Sequence, residues 1–338
     1  MRYERVHIQA IEYAAPPIEI TTLSLERMLG PLLRRIGVAE GTLMALTGVG
    51  SRRFWPEGML HSDGAAQAAR SLIEKHGVPE CGVQALVSTS VGKDYLEPPI
   101  GSLVSGDLGF GEDCQNFDVG HACLGFMTGM LTVANLIELG QIECGMVVAG
   151  ESSRVVTQGT IRKLLQPGVD FRTFGENLAT LTLGSMAVSA LLVHEKHSKH
   201  GHRLLGGAVR AATQHSRLCL GTATEMKTDA PTLLREGVDL AERTFAAARK
   251  ELDVEIADVK EFVLHQVGKA NHDALTQRLQ LPQDRALRLY PDFGNVGAAG
   301  VPFTLATAIE RGRIQQGDTA MLLGIGSGLN CTMLGVRW

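Results

Sequence analysis

Cys123 stands in the stretch Asn116-Phe-Asp-Val-Gly-His-Ala-Cys123-Leu-Gly-Phe-Met-Thr-Gly-Met130. A β-rich run stops there at a turn of small residues, and a long apolar helix follows at once. A thiol at such a junction meets unpaired backbone N–H groups and the positive end of the helix dipole. That setting lowers a thiol pKa and makes a nucleophile near neutral pH. The residue reads equally as a buried structural cysteine, the usual fate of a free thiol. Three more signals sit far away in sequence. His265 ends the apolar run Phe262-Val-Leu-His265, where loops of α/β folds carry chemistry, though a lone His there also serves structure. Asn295 lies between glycines in Gly294-Asn295-Val-Gly-Ala-Ala-Gly-Val-Pro302, where turn propensity alone accounts for it. Gly324-Ile-Gly326-Ser327-Gly328 is a glycine-rich turn after a strand. Its amides can face a developing oxyanion, although phosphate loops and plain turns look similar. Together these residues describe one chemistry. A thiolate attacks a thioester, His and Asn donate to the thioester oxygen, and backbone amides hold the oxyanion. That is acyl transfer through an acyl-cysteine.

Other candidates have plain alternatives. Glu97 lies in Gly92-Lys-Asp-Tyr-Leu-Glu97-Pro-Pro99, a loop fixed by two prolines, and reads alone as a surface carboxylate. Gly48-Val-Gly-Ser-Arg52-Arg53-Phe-Trp55 is a glycine-bearing loop, either a solvated turn or an anion contact suited to guanidinium. His194, His197, His200 and His202 invite a metal. A solvated linker is the better reading, because no acid or Cys partner completes an ordered ligand set, so no metal is expected. Phe126, Met127, Met186 and Leu220 are candidates to line a pocket, with core packing the safer reading.

Positioning these groups requires alternating strands and helices. Strands are expected over 6–14, 85–91, 142–152 and 181–193, besides the one before Cys123. Helices are expected over 22–36, 62–75 (capped by Ser62 or Asp63), 101–108 and 124–139. Residues 153–177 look like an irregular, polar excursion. The second half repeats the order: strand 206–213, helix 231–252, strand 259–267, helix 272–279, strand 288–290, a helix through 309, and strands 318–326 and 331–338. Each half reads βαβαβαββ, which predicts an α/β protein of two duplicated sheets packed through shared helices. The halves are 1–197, bearing the cysteine, and 203–338, bearing His265 and Asn295.

Composition narrows the class. The chain has 338 residues, 44% of them hydrophobic, as in a globular protein. A net charge of −4 argues against a nucleic-acid binder. Six cysteines without C-x-x-C spacing fit neither a zinc pattern nor a disulfide framework, and a reducing cytoplasm is the simplest setting. The N-terminus lacks the apolar core of a signal peptide. Asn135 and Glu138 interrupt the longest apolar stretch, so no membrane insertion is expected.

Asp118-Val-Gly-His-Ala-Cys123-Leu-Gly-Phe, Leu264-His265-Gln266, the Asn295 stretch and Gly326-Ser-Gly328 resemble, in order, the motifs of thiolase-superfamily condensing enzymes of the 3-oxoacyl-acyl carrier protein synthase III type. The resemblance implies a five-layered thiolase-like fold, a homodimer and a Cys123–His265–Asn295 triad. It also implies an oxyanion hole from the amides of Cys123 and Ser327. Lys93-Asp-Tyr-Leu-Glu97-Pro, Ser51-Arg-Arg-Phe-Trp55 and Ser105-Gly-Asp-Leu-Gly109 are similar to the branch that joins two fatty acyl-CoA molecules head to head, toward long-chain olefins. In that branch the loop glutamate crosses the dimer interface and acts as the base, which makes Glu97 that residue. Its chemistry is sound: condensation without decarboxylation must remove an α-proton, and a carboxylate in an apolar channel suits the task. The acyl-CoA is substrate, and no cofactor is implied. The family usually has an Arg before the Thr47-Gly48 position and Ala-Asn-Leu-Arg after the His-Gln pair. This chain has Leu46, and Val267-Gly-Lys269-Ala. The expected CoA contacts are therefore Arg52, Arg53 and Lys269. Acyl carrier protein as donor, decarboxylative use of malonyl units, and acyl transfer or thioester hydrolysis without a new C–C bond are the alternatives.

Overall fold

The computed structural model describes residues 1–338. Nine strands build the main sheet: β1 (Val6–Ala14), β2 (Ala85–Ser88), β3 (Gln115–Asp118), β4 (Cys144–Glu151), β5 (Met186–His194), β6 (Arg203–Ala211), β7 (Val259–Leu264), β8 (Thr319–Gly326) and β9 (Asn330–Arg337). Their order is β7-β8-β9-β6-β1-β5-β4-β2-β3. The first half of the chain supplies β1 to β5 and the second β6 to β9. The two half-sheets meet where His7 faces Arg203 and Ile8 N donates to His202 O at 2.8 Å. β4 is buried at every position, and its run Cys144-Gly-Met-Val-Val-Ala-Gly150 is the continuous apolar stretch that a strand covered on both faces requires.

Side-chain alternation along the strands sorts the helices into layers. Leu86, Met146 and Val148 point to the outer helices α1 (His61–His76) and α2 (Ile100–Leu108). Val87 and Val147 point the other way, onto α3 (Gly125–Glu138) and its neighbour α6 (Gly300–Glu310), which share one core with Val263 and Leu322 of the second half-sheet. Phe262 and Met321 face the remaining outer pair, α4 (Ala230–Leu252) and α5 (Lys269–Arg278). The order is helices, half-sheet, helices, half-sheet, helices: the five expected layers. α3 is buried on most of its circumference because it lies in the middle one.

Several local expectations change. The helix expected over 22–36 is two, Thr22–Met28 and Gly30–Arg35, because Pro31 has no N–H to continue the ladder. The expected loop around Arg52 and Arg53 contains the strand Ser51–Phe54, paired with Ile18–Thr21. Leu60, not Ser62 or Asp63, precedes α1; the first amides of α1 are taken by Asp94, which accepts from His61 N at 2.7 Å and Ser62 N at 2.9 Å. Residues 153–177 are not irregular. They hold the helices Arg154–Leu164 and Phe171–Asn177, which bury Leu164 and Phe174 against Leu29, Leu32 and Leu33. The strand expected from 181 begins at Met186, after a 3-10 turn over Leu178–Thr182.

The strand expected over 288–290 is absent, so the second half has four strands where the first has five. Two side chains replace its ladder. Leu287 N donates to Glu261 Oε1 at 2.8 Å, and Leu289 N and Tyr290 N donate to Gln266 Oε1 at 2.7 and 3.0 Å. Gln266 Nε2 returns a bond to Leu287 O at 2.8 Å. With its amides satisfied this way the segment has no need of a strand partner.

Candidate active site

β3 ends at Asp118, and a 3-10 turn over Ala122–Leu124 leads into α3. Ala122 has φ +45°, the left-handed region, so the residue before Cys123 is held in a sparsely populated conformation. The sharp turn sets Cys123 at the mouth of the helix, half-buried. It packs on Gly297–Ala299 and on the end of β8. A Cβ placed on Gly326 would come 3.5 Å from Cys123 N, which puts the Gly326-Ser327-Gly328 turn beside the cysteine amide.

His265 follows β7 directly, and its N donates to Leu323 O of β8 at 2.8 Å. It is buried, and neither ring nitrogen has a hydrogen-bond partner in the chain. Burial lowers its pKa to about 4, so the ring is a neutral imidazole at pH 7, able to accept a proton at one nitrogen while the other donates. Buried polar atoms rarely go unpaired. Both nitrogens of His265 are therefore free to bond a ligand, and the His272 ring is unpartnered in the same way. Asn295 is fixed by its backbone, N to Thr182 O at 2.9 Å and O from Gly184 N at 2.8 Å. Its Oδ1 accepts from Gly297 N at 3.0 Å, which leaves Nδ2 as the free donor. Cysteine and histidine thus come from two strand ends, and asparagine from the turn before Gly297–Ala299, on which the cysteine turn packs.

The thiol does not behave as its helix position suggests. Burial first, then the Glu151 carboxylate and the nearby Cys219, push Cys123 up to about 12. The expected lowering is reversed in the free chain, because a dry site and a carboxylate oppose the helix dipole. A neutral thiol must hand its proton on as it attacks, and the unprotonated, unpaired His265 ring is suited to take it.

Glu97 is exposed, and the carboxylate acting on Cys123 within the chain is Glu151 instead. The Glu97 loop is anchored at its roots and free at its tip. Val91 N donates to Glu151 Oε1 at 3.0 Å, Asp94 holds the start of α1, and Lys93 pairs with Asp118. Asp118 also accepts from Ile100 N at 3.1 Å and Gly101 N at 2.8 Å, just beyond the loop. Between these anchors Tyr95 and Leu96 stand in solvent, Leu96 completely so. The edge strand β3, with Gln115 and Asn116 exposed, runs alongside.

The CoA candidates divide. Arg52 is corrected: it is 1% exposed, with its guanidinium bonded to Thr22 Oγ1 at 3.0 Å and Leu181 O at 2.7 Å. It faces no solvent and has no carboxylate, and burial lowers its pKa to about 10. Its strand pairing turns it inward as a clamp between Thr22, at the end of the paired Ile18–Thr21 strand, and residue 181. Arg53, on the opposite face, pairs with Glu19 at 3.5 Å. Lys269 is exposed at the start of α5, pairs with Asp273, and lies against the Thr47-Gly48 turn, where a Cβ on Gly48 would come 2.8 Å from Lys269 Cβ. The four histidines of 194–202 diverge: His202 stacks on Trp338 at 3.9 Å, while His197 bonds Glu143 at 2.7 Å. Sequence reading missed that Cys81 and Glu143 bring donors within 4.8 Å of His197, although Lys196 already occupies Glu143. Sequence reading also missed Glu151. Its signal was present: a lone carboxylate ending an otherwise apolar strand.

Five layers, with a cysteine at the head of an inner helix and His and Asn supplied by the other half, define the thiolase-like condensing enzymes. Residues 250–338 match the family described as 3-oxoacyl-[acyl-carrier-protein (ACP)] synthase III C terminal. The chain is 36% identical to the acyl-CoA:acyl-CoA alkyltransferase of Xanthomonas campestris pv. campestris and 38% identical to that of Shewanella oneidensis, covering 100% of each and of itself. It superposes with TM-score 0.96 at 35% identity on Xanthomonas campestris OleA solved with bound lauric acid and lauroyl-CoA, covering 99% of this chain and 100% of that one. The chain belongs to the acyl-CoA:acyl-CoA alkyltransferase family. Other solved forms of that OleA replace one cysteine, one glutamate or one histidine, spaced along its sequence as Cys123, Glu97 and His265 are here.

Proposed function

We propose that this chain joins two fatty acyl-CoA molecules head to head. Cys123 attacks the first thioester; its proton passes to His265 and leaves with the CoA thiolate, giving an acyl-cysteine. Glu97 of a second copy then takes an α-proton from the second acyl-CoA. The carbanion attacks the acyl-cysteine carbonyl, a C–C bond forms, and the Cys123 sulfur departs as a thiolate that regains, by way of water, the proton Glu97 took. The product is a 2-alkyl-3-oxoacyl-CoA. His265 and the Asn295 amide donate to the thioester oxygens, and the amides of Cys123 and Ser327 take the oxyanion. No co-reactant beyond the two thioesters is consumed.

One observation supports the reading: Cys123, His265 and Asn295 lie within one chain, while Glu97 stands exposed on a loop anchored at both roots. A loop that exposes Tyr95 and Leu96 gains by docking on another copy. The homodimer, with each copy lending Glu97 to the other, is part of this proposal. The spacing of the residues replaced in OleA, and its lauroyl-CoA complex, support it. In this reading 1–197 supplies the nucleophile and the lent base, and 203–338 the oxygen-binding groups. Lys269 takes a CoA phosphate. The chemistry needs a reduced thiol, and all six cysteines are free, which suits the cytoplasm.

The match to synthase III over 250–338 favours one second reading, a decarboxylating condensation with a malonyl carrier protein. Mass spectrometry of products separates the two. A condensed 3-oxo product, or the ketone formed from it, from acyl-CoA alone establishes the head-to-head reaction. Product only with a malonyl carrier, with CO2 released, assigns the second.

A further inference from the structure

Glu151 closes β4 and is 6% exposed. Burial raises its pKa, against the opposing pull of the nearby His61 ring and of the backbone amides that bond it. Its Oε1 accepts two backbone bonds, from Val91 N at 3.0 Å and from Ala298 N at 3.2 Å. Its own carbonyl accepts from Trp55 Nε1 at 3.0 Å. Those two amides belong to segments with different duties. Ala298 lies in the turn that follows Asn295. Val91 is the first root of the loop that carries Glu97.

The surroundings leave this oxygen little room. Gly297 has φ +59°, and a Cβ there would come 3.0 Å from Glu151 Cδ, so the Asn295 turn lies directly on the carboxylate. On the other side His61 Nδ1 bonds Gly150 O at 2.7 Å. A Cβ on Gly92 would come 2.1 Å from His61 Cε1, so the loop root is wedged against that ring. A shift of the Ala298 amide must therefore stretch its bond to Glu151 or move Val91 with it.

We propose that Glu151 is a positioning residue linking the two sites of the dimer: it fixes the Asn295 turn of its own site and the root of the loop that lends Glu97 to the other. The inference rests on the reading that Glu97 acts in a second copy. A Glu151 that served only its own site would leave the partner's chemistry untouched.

Differently tagged copies, co-expressed, test this. One copy carries Glu97→Ala and keeps its cysteine. The other carries Cys123→Ala and lends its glutamate. Only one site per heterodimer is then complete. If this heterodimer releases CoA in a burst but forms no C–C bond from acyl-CoA, the lent-base reading itself fails, whatever Glu151 does. If it condenses, Glu151→Ala is added to the Cys123→Ala copy alone. The expected result is an unchanged acylation burst on the other copy, with condensation at least tenfold slower. Glu151→Gln in the same place keeps the Oε1 acceptor and restores condensation. Val91→Pro in that copy removes the donor instead of the carboxylate and gives the same selective loss, which decides the matter should Glu151→Ala not fold. Condensation at the control rate in the Ala or Pro heterodimer overturns the proposal. Equal loss of burst and condensation, unrelieved by Gln, overturns it too, because that pattern is general damage.

Discussion

The cysteine turn and the Glu97 loop are both bent, both glycine- or proline-bound, and lie side by side in the first half-sheet, yet they are built for opposite surroundings. The turn faces inward, and its partners His265 and Asn295 are buried groups delivered by the other half of the chain. The loop faces outward. Its roots are fixed by Glu151, Asp94 and Asp118, and Leu96 at its tip stands fully in solvent. A nucleophile gains from a site that excludes water. A base that must act after the first acyl group has arrived gains from separate delivery. Under the proposed function, the contrast means that one chain completes the first half-reaction and needs a second copy for the next.

The largest expected effect breaks the inner side. Cys123→Ala abolishes the acylation burst and lowers product formation by at least ~10⁴-fold; a surviving burst would place the nucleophile elsewhere. Glu97→Ala breaks only the outer side. Condensation falls roughly 10²–10⁴-fold while the burst stays within about twofold of the parent. Equal loss of both steps would remove Glu97 as the base. A third measurement sharpens the inner environment. With the thiol pushed up to about 12, the thiolate fraction rises tenfold per pH unit below that value. Alkylation of Cys123 by iodoacetamide should climb steeply from pH 7 to 10 without a plateau, and Glu151→Gln should speed it at any fixed pH. His265, lowered to about 4, stays neutral throughout and adds no step. A plateau near pH 7 would instead reveal a preformed thiolate–imidazolium pair. The smallest effect separates the two basic candidates. Arg52→Met should cost about 2 kcal/mol of stability, seen as a lower melting temperature, with KM for acyl-CoA unchanged. Lys269→Ala should leave melting alone and raise KM a few-fold, more at low salt.

The sequence exposed the inner site well, because each member sits where an apolar run meets glycines, and such punctuation survives without knowledge of the fold. The five layers were legible for the same reason: strands buried on both faces are written as unbroken apolar runs. Failures arose where the deciding partner lies far away. Arg52 reads as a surface cation until residue 181 and the paired 18–21 strand close over it. Residues 288–290 have the composition of a strand, but Gln266 takes their amides. The thiol's direction of shift depends on Glu151, which ends another strand. Residues 153–177 carry their own cap, Asp170 accepting from Thr173 N at 2.8 Å, and were readable in principle.

The Gln266 clamp bears on how this protein can change. In the first half-sheet, inserting one residue into β3 would slide a register and turn every side chain to the wrong face. In the second, residues 287–290 are pinned at three amides by two side chains, and the chain between 279 and 287 is tied to no ladder. Insertions at the exposed Gln283 and Asp284, between the buried Leu281 and Ala286, cost mainly loop entropy, which grows slowly with length. The segment leads to Tyr290 and, through it, to the Gly48 turn that borders Lys269. Length variation among descendants of this chain should therefore gather beside the mouth where CoA is expected to enter. The Glu97 edge, locked by strand register and three anchors, should keep its length.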